Sequence, residues 1–441
     1  MDRTWARMSA WIVVILAGWS WVFAAESAKG DRALNVREWG ATGDGVTLET
    51  GSLQRAIDAC SERGGGSVIL PAGDYLTGTL VLRSGVTLVL EAGCTVWGST
   101  DLAHYPKNVP QFRSYTDEYT IRSLIYAESV EDVAIVGRGV INGNGRSFKG
   151  EYHVRPYLMR FVTCRRVTVE GITLRDSPMW VQHYLACEDV RISGVTVKSP
   201  DANYNNDGID IDSCRRVLIE GCNIHSEDDA ICLKSTSDLP CRDVVVTNCI
   251  LQSRCNAFKL GTESVGGFRN IAISNSTVVD TRLSGVAIET VDGGDLERIV
   301  VTNLAMENVG SAIFIRRGAR LRPYTGMTQK KEKPGLLRDV VISNITARRA
   351  GDNSCPIAGL PGFDVENVVL SHLILEFNGG GTDAMVAREI PEQPANYPEF
   401  TMFGRLPAYG FYARHARGLR MDNVQLRYAG RRCARPSSWT T

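Results

Sequence analysis

The residues best suited to chemistry are aspartates in two short segments of similar pattern. The first segment reads Asp-Gly-Ile-Asp-Ile from Asp207, and the second reads Asp-Ala-Ile-Cys-Leu from Asp229, directly after Asp228. If the two segments occupy the same place in neighbouring structural units, Asp207 and Asp229 lie next to each other with Asp228 beside them. Like charges that face each other on a sheet repel, so the pKa of at least one of these carboxyl groups should be raised.

Such a cluster can hydrolyse a glycosidic bond. One carboxylic acid protonates the leaving oxygen, and a second carboxylate acts on water or on the sugar. Calcium binding is the alternative, because carboxylate oxygens are also the usual ligands of calcium. The neighbouring Asp210 and Asp212 need no such role, since an isolated aspartate in a β fold usually sits in a turn or on a solvated face.

The elements that position the aspartates belong to an internal repeat. Matched apolar residues recur at intervals of 23, 27, 27, 27 and 28 residues, at Val167, Val190, Val217, Val244, Ile271 and Ile299. Each unit contains two short stretches of alternating apolar residues joined by a corner, without a helical pattern. Because one unit cannot bury its apolar face alone, the units must stack. We therefore predict an all-β fold, a single-stranded right-handed parallel β-helix.

Stacking places equivalent residues of successive units in columns. One column runs from Trp180 through Asp207 and Asp229 to Asn256 and Ser284. A second contains corner asparagines that we expect in the left-handed conformation, namely Asn248, Asn275, Asn303 and Asn344. Cysteines form further columns, at Cys164, Cys187, Cys214 and Cys241 and at Cys222 and Cys249. We expect mostly free, buried thiols there, although the spacing between coils also permits a disulfide.

The ends and interruptions of the repeat define the organisation of the chain. Residues 1–25 resemble a signal peptide, with Arg3 and Arg7 before an apolar run that is short for a membrane anchor. Residues 26–430 form the predicted β-helix, and residues 431–441 are expected to be an irregular tail. A short helix over 51–63 should cap the N-terminal end. Insertions rich in Tyr, Arg, Lys and Pro should shape a binding surface, and they lie at about 101–125, 317–336 and 378–410.

Composition limits the possible partners. The chain has 441 residues with 49 basic and 49 acidic side chains, so net charge gives no reason to expect nucleic acid or an anionic membrane as a partner. The six histidines are scattered and no Cys-x-x-Cys pair occurs, so we predict no metal site. We expect an exported protein, secreted or periplasmic, that is monomeric and not bound to a membrane.

Several motifs resemble the polygalacturonases of glycoside hydrolase family 28. The segment 205–210 is similar to their Asn-Thr-Asp-Gly-x-Asp signature, and the segment 227–231 is similar to Gln-Asp-Asp-Cys-Ile. The resemblance extends over about residues 34–428 and implies a hydrolase of pectin that inverts the anomeric centre and needs no cofactor. It implies Asp228 as the general acid, with Asp207 and Asp229 activating the water.

Two departures from the family pattern bear on substrate binding. Asn256 stands where the family has an active-site histidine, and Ala287-Ile288-Glu289 stands where the family has the Arg-Ile-Lys that grips the galacturonate carboxylate. A relocated cation is therefore expected, from Lys259, Lys234, Arg316 or Arg317, unless these are solvated surface charges. Trp180 and His183, one coil away, are further candidates for sugar contact, and Trp180 has packing as its alternative role.

The altered cations leave the substrate open among polygalacturonate, rhamnogalacturonan, a decorated pectin and an oligosaccharide end. Two rival functions remain open as well. A polysaccharide lyase or epimerase on the same solenoid would use a Lys or Arg base and commonly calcium. A non-catalytic solenoid would bind carbohydrate without turnover, because function belongs to the site rather than to the fold.

Overall fold

The computed structural model describes residues 33–201, 203–379, 383–429 and, for the backbone alone, 435–440. The predicted signal peptide lies outside the described residues. The N-terminal part of the chain contributes the strands β1 (Ala33–Asn35), β2 (Asp44–Leu48), β3 (Gly66–Leu70), β4 (Gly73–Thr77), β5 (Leu80–Val81), β6 (Val86–Leu90), β7 (Cys94–Gly98), β8 (Ser123–Glu128), β9 (Glu131–Gly137), β10 (Val140–Asn142), β11 (Tyr157–Val162), β12 (Arg165–Glu170), β13 (Thr173–Arg175), β14 (Gln182–Leu185), β15 (Glu188–Ser193) and β16 (Thr196–Ser199).

The remaining elements run from the aspartate segments to the C-terminus. The strands are β17 (Ile209–Asp212), β18 (Arg215–Glu220), β19 (Asn223–Ser226), β20 (Ile231–Ser235), β21 (Cys241–Thr247), β22 (Ile250–Ser253), β23 (Phe258–Ser264), β24 (Phe268–Thr290), β25 (Leu296–Arg317), β26 (Leu337–Ala350), β27 (Cys355–Ala358), β28 (Val365–Phe377), β29 (Ala408–Arg414), β30 (Ala416–Arg417), β31 (Arg420–Tyr428) and β32 (Arg435–Thr440). The α-helices are α1 (Thr50–Glu62) and α2 (Asp383–Val386), and short 3₁₀ helices span Val36–Trp39, Leu102–His104, Tyr115–Glu118, Gly145–Ser147, Tyr152–Val154 and Phe400–Phe403.

The strands stack coil upon coil into parallel sheets. Strands β12, β13 and β14 form one coil, and they pair in parallel with β15, β16 and β17 of the next coil. The repeat predicted the register correctly, since Val167 pairs with Val190, Val190 with Val217, and Val217 with Val244. These pairings confirm the predicted parallel β-helix.

The alternation of apolar residues sets which side chains fill the interior of the coil. In β18 the side chains of Val217 and Ile219 are buried, whereas Leu218 between them is partly exposed. Successive side chains of a strand point to opposite faces, so the same alternation in neighbouring coils builds one continuous core along the solenoid.

The corner and cysteine columns also lie where the sequence places them. Asn248, Asn275, Asn303 and Asn344 have positive φ angles of 59°, 51°, 57° and 53°, which asparagine tolerates better than most residues. The described cysteines are free and, apart from the partly buried Cys255, buried. The prediction of mostly free thiols therefore agrees with the geometry of this part of the chain.

The two ends of the solenoid differ in how well they were predicted. Helix α1 covers the N-terminal end as expected and buries Leu53, Ala56, Ile57 and Cys60. At the other end, β32 pairs in parallel with β29, although we expected these residues to lie in an irregular tail. The last coil leaves unpaired N–H and C=O groups on its edge strand, and an extended segment can pair there without an apolar repeat. None of the helices in the described residues is both long and apolar enough to span a membrane.

Candidate active site

The acidic segments meet because β17 and β20 occupy the same position in adjacent coils. Ile209 pairs with Ile231, which places Asp207 next to Asp229 as predicted. Gly208 has no room for a side chain, since an added Cβ would lie 2.5 Å from the carbonyl oxygen of Ala230. The glycine that follows Asp207 therefore allows the two coils to approach closely.

The three carboxyl groups form one cluster. Oxygens of Asp207 and Asp229 lie within 4.8 Å of each other, and oxygens of Asp228 and Asp229 do so as well. Asp207 and Asp229 are 3% and 2% exposed, whereas Asp228 is partly exposed. Asp228 is therefore the member of the cluster most accessible to a substrate.

The environment gives the three carboxyl groups different proton affinities. Burial and the charges of Asp210 and Asp228 raise the pKa of Asp207 well above its usual range. Burial, reinforced by the charge of Asp229, also raises the pKa of Asp228. Burial alone would raise the pKa of Asp229, but Lys259, Lys234 and hydrogen bonds from Asn256 outweigh it and lower that pKa. The site therefore combines a carboxyl group that retains its proton with one that is readily ionised.

Lys234 lies at the base of the cluster. Its Nζ atom is 3.4 Å from Asp207, 3.5 Å from Asp210 and 3.7 Å from Glu263. It also lies 4.7 Å from the centroid of the Trp180 ring, so Trp180 contacts this ammonium group as well as its aromatic neighbours. Lys234 is 5% exposed and reaches the wall of the pocket, but its charge is shared among three carboxylates.

Lys259 holds the opposite side of Asp229. Its Nζ atom is 3.3 Å from Asp229 and 3.0 Å from Glu399, and it donates to the hydroxyl of Tyr397 at 3.3 Å. Glu399 also accepts a hydrogen bond from the Asn256 side chain at 3.1 Å. The C-terminal insertion thus supplies two groups that fix the lysine next to Asp229.

A pocket of about 380 Å³ opens over the aspartates. All three predicted catalytic residues line it, together with Lys234 and Trp180. The other lining residues are Tyr119, Tyr152, Met179, Asn205, Glu263, Arg322 and Tyr397. The predicted insertions at 101–125, 317–336 and 378–410 therefore each contribute at least one wall residue.

His183, which the sequence suggested for substrate contact, does not line the pocket. His183 is fully buried, stacks on Tyr157 with ring centroids 5.3 Å apart, and hydrogen-bonds Asp212 at 3.2 Å. Burial lowers the pKa of His183 to about 4. The expectation of sugar contact at His183 was wrong because the 101–125 insertion covers this face of the coils, where Arg160 binds Thr120 and Thr116.

Arg316 and Arg317 are likewise anchors of loops rather than relocated substrate cations. Arg316 is 1% exposed and donates to the carbonyl oxygens of Gly359, Glu392 and Gln393. Arg317 donates to the carbonyl oxygen of Gly335 and to that of Asp364. Two consecutive arginines break the apolar alternation at the end of β25, but the sequence does not reveal that other segments cover them.

Asn256, Lys259 and Glu289 lie behind the pocket wall instead of on it. Asn256 donates to Asp229 at 2.8 Å and accepts from the backbone of Ser284 at 2.9 Å. Glu289 is fully buried, and burial raises its pKa well above the usual range despite the nearby Lys259. None of these three side chains lines the pocket, and Asn256 and Lys259 contact Asp229 from behind it.

Asp210 and Asp212 were expected in a turn or on a solvated face, and this expectation was wrong. Both are fully buried in β17. Asp210 lies beside Lys234, and Asp212 accepts hydrogen bonds from the backbone and hydroxyl of Thr236. Other segments of the chain cover the outer face of the coil here. Asp210 and Asp212 are therefore buried together with the polar groups that they contact.

Glu263 and Arg322 are pocket residues that the sequence reasoning missed. Glu263 reaches the pocket from an irregularity between β20 and β23, where Leu233 pairs with Leu260 but Ser235 pairs with Ser264. Two extra residues in β23 redirect its side chains, as β-bulges often do near active sites. For Glu263, the sequence signal was the break in apolar alternation at 261–264. For Arg322, there was only the general expectation that the 317–336 insertion shapes a binding surface.

The donor set does not fit calcium. Groups of three donors close enough for an ion include a cysteine thiol, in Asp207, Asp229 and Cys232 and in Asp228, Asp229 and Cys255. Calcium takes six to eight oxygen ligands, and ammonium groups of Lys234 and Lys259 already lie 3.3–3.4 Å from two of the carboxylates. The two lysines therefore supply the positive charge that a calcium ion would otherwise bring to the carboxylates.

Fold and site together define a class of protein, the β-helix enzymes that cleave glycosidic bonds with paired carboxyl groups. Within this class, the chain belongs to the glycosyl hydrolases family 28, whose sequence model matches residues 60–392. The predicted family and the prediction of a glycoside hydrolase are thereby confirmed.

Individual relatives agree with this assignment. A probable polygalacturonase of Vitis vinifera is 30% identical in an alignment of length 352 that covers 73% of this chain and 72% of the relative. The crystal structure of a hyperthermoactive exopolygalacturonase from Thermotoga maritima has a TM-score of 0.70 at 26% identity and covers 91% of this chain and 93% of that chain. The family 28 exopolygalacturonase of Yersinia enterocolitica shares the fold, with a TM-score of 0.69 at 19% identity over 93% of this chain and 78% of that chain.

Proposed function

We propose that this protein hydrolyses galacturonate-containing glycosidic bonds of pectin and removes sugar from the end of a chain. The observation that carries the proposal is the juxtaposition of Asp228 with the Asp207–Asp229 pair in a family 28 chain. The names of the relatives, polygalacturonase and exopolygalacturonase, support galacturonan as the substrate.

In the proposed reaction, Asp228 is the general acid. Its raised pKa keeps the proton that it transfers to the glycosidic oxygen as the bond between that oxygen and the anomeric carbon breaks. Oxygens of Asp207 and Asp229 lie within 4.8 Å of each other, a gap that one water molecule spans with two hydrogen bonds. That water attacks the anomeric carbon, and the ionised Asp229 accepts its proton. The attack from the side opposite the leaving group inverts the anomeric configuration.

The two lysines of the site are poorly suited to act as the base of the lyase alternative. A lyase needs a neutral base close to the proton that it removes. Lys234 and Lys259 are the lysines next to the aspartates, and the carboxylates around them hold their pKa values well above the usual range despite burial. Both ammonium groups therefore remain protonated and cannot serve as the base.

Action at a chain end is supported by the walls of the pocket. Tyr119, Tyr152, Arg322 and Tyr397 come from different loops, and together with the aspartates they line one pocket. The volume of about 380 Å³ is at the lower end of the range of about 300–1,000 Å³ for small-molecule pockets. Such a pocket suits the terminal sugars of a chain better than its middle.

We also propose that the protein is exported and acts outside the cell as a monomer. It rests on the charged residues and apolar run of the segment 1–25 and on a pectic substrate, which lies in cell walls. Sequencing the N-terminus of the secreted protein should find a start just after Ala25, and size-exclusion chromatography should give the mass of one chain. A retained N-terminal segment or a dimer would remove the corresponding part of the proposal.

A time course of products from polygalacturonate tests the proposed reaction. We expect monogalacturonate or a short oligosaccharide of one size from the first time points, without an unsaturated, ultraviolet-absorbing product. Proton NMR of fresh product should show the inverted anomer first. A ladder of mixed oligosaccharides would contradict action at chain ends, retention of configuration would contradict the water-activating pair, and binding without any product would favour the non-catalytic solenoid.

A further inference from the structure

The proposed substrate carries a negative charge on every galacturonate, yet the pocket itself is rich in carboxyl groups. Asp207, Asp228, Asp229 and Glu263 all line it. A uronate that enters this space is repelled by ionised carboxylates nearby and loses hydration. Binding therefore requires a cation that faces the pocket and is not already neutralised by the protein.

Arg322 meets this requirement. The cations that line the pocket are Lys234 and Arg322. Lys234 is nearly buried and lies within 3.7 Å of three carboxylates. Arg322 is exposed and, within the part of the chain that the structure describes, forms no ion pair with a carboxylate. Its guanidinium group is therefore available to a ligand.

Neighbouring groups contact both the guanidinium group and the backbone of Arg322. Its guanidinium carbon lies 4.3 Å from the centroid of the buried Tyr115 ring. Its backbone N–H donates to Asp292 at 3.1 Å, and Asp292 is bound in turn by the side chain of Arg320 at 2.9 Å. Tyr115 is anchored by its backbone N–H, which donates to the carbonyl oxygen of Thr236 beside the end of β20. Contact with an aromatic face leaves the N–H groups of an arginine free for an anion.

We propose that Arg322 binds the carboxylate of the galacturonate that occupies the pocket. This inference rests on the proposed function and names the group that selects the acidic sugar. A guanidinium group can donate two parallel hydrogen bonds to a carboxylate. Ala287 and the buried Glu289 offer no cation at the coil positions 287 and 289. Arg322 of the 317–336 insertion instead supplies the cation that recognises the galacturonate carboxylate.

Comparison of an acidic substrate with its neutral methyl ester tests the role of Arg322. The Michaelis constant of Arg322→Gln for trigalacturonate should rise about 10- to 100-fold, the effect of losing a hydrogen bond between charged groups. Lys330→Gln is the matched control, because Lys330 is an exposed cation of the same insertion that does not line the pocket. This control should leave the Michaelis constant unchanged.

Binding provides a readout that does not depend on turnover. Calorimetry in an Asp228→Asn background should show that digalacturonate binds more tightly than its dimethyl ester and that Arg322→Gln removes this difference. Equal binding of acid and ester to the background protein, no binding of either, or a preference for the acid that survives Arg322→Gln would overturn the inference. The proposed function has a separate test, since it fails if the unaltered protein releases no sugar from polygalacturonate, whatever Arg322 binds.

Discussion

At the scale of single residues, the two lysines beside the aspartates determine which carboxyl group carries a proton. Lys259 and Lys234 lower the pKa of Asp229, whereas burial and the charge of Asp229 raise the pKa of Asp228. The proposed reaction needs an ionised Asp229 and a protonated Asp228. Activity should therefore be high at pH values above the pKa of Asp229 and below the pKa of Asp228. Because the carboxyl groups interact, the apparent pKa of each limb of the pH profile describes the whole cluster and not a single residue.

Replacement of Lys259 tests this assignment. In Lys259→Met, Asp229 loses a cation 3.3 Å away, so its pKa should rise by about one unit or more, as expected for the loss of an adjacent opposite charge. The acidic limb of kcat/KM should then move to higher pH by the same amount. The measurement is the pH profile of kcat/KM for the variant and the unaltered protein.

Lys330→Met is the control for this change, because it removes a lysine from an exposed position away from the pocket. Its profile should match that of the unaltered protein. Circular dichroism must show that Lys259→Met is folded, since the loss of one partner of a buried ion pair destabilises a protein. A folded Lys259→Met protein with an unmoved acidic limb would contradict the role of Asp229 as the ionised base.

At the scale of elements, the coils keep the acids in register. Each rung buries its inward side chains against the rungs on both sides, so that Asp207 and Asp229 are fixed by strands β17 and β20 rather than by a mobile loop. The stability of this arrangement should depend on the inward column and only slightly on the outward one.

A matched pair of alanine substitutions in β18 tests this dependence. Ile219 is fully buried and Leu218, its neighbour, is partly exposed. Ile219→Ala should reduce the free energy of unfolding by about 2–5 kcal/mol, because it leaves a cavity in a packed core. Leu218→Ala should cost less than about 1 kcal/mol. Chemical unfolding followed by fluorescence measures both, and equal losses would contradict the assignment of inward and outward faces.

The sequence predicts the coils well because strand pairing is periodic. Equivalent residues recur at nearly constant spacing, so the column from Trp180 to Ser284 and the meeting of Asp207 with Asp229 follow from counting. Whether an outward side chain is free or covered depends on insertions from distant parts of the chain. His183 and Arg316 were therefore misplaced, and Arg322 and Glu399 were not singled out, because loop conformation leaves no periodic signal in the sequence.

At the scale of the whole molecule, the solenoid is held together by packing and hydrogen bonds between coils. The described cysteines are free, and burial raises the pKa of several of their thiols, including Cys94, Cys214 and Cys355. Buried protonated thiols react slowly, so the column from Cys164 to Cys241, whose thiols all have a raised pKa, can persist even in an oxidising environment.

Because the described cysteines are free thiols, a reducing agent should not change the thermal stability of the protein. The melting temperature should be the same with and without dithiothreitol, and the native protein should react slowly with a thiol reagent that modifies the denatured protein quickly. Differential scanning calorimetry and thiol titration give the two readouts. A melting temperature that falls on reduction would instead indicate a disulfide between coils.

In the proposed reaction, Asp228 donates the proton that breaks the glycosidic bond. This step is tested by the rate of sugar release from polygalacturonate by Asp228→Asn, compared with the unaltered protein and with Asp243→Asn, which changes a partly exposed aspartate on the coil surface. We expect Asp228→Asn to lose at least about 100-fold in kcat while its melting temperature is unchanged or higher, since the substitution removes a carboxyl group that the charge of Asp229 disfavours. Asp243→Asn should be fully active. Full activity in a folded Asp228→Asn protein would contradict the account.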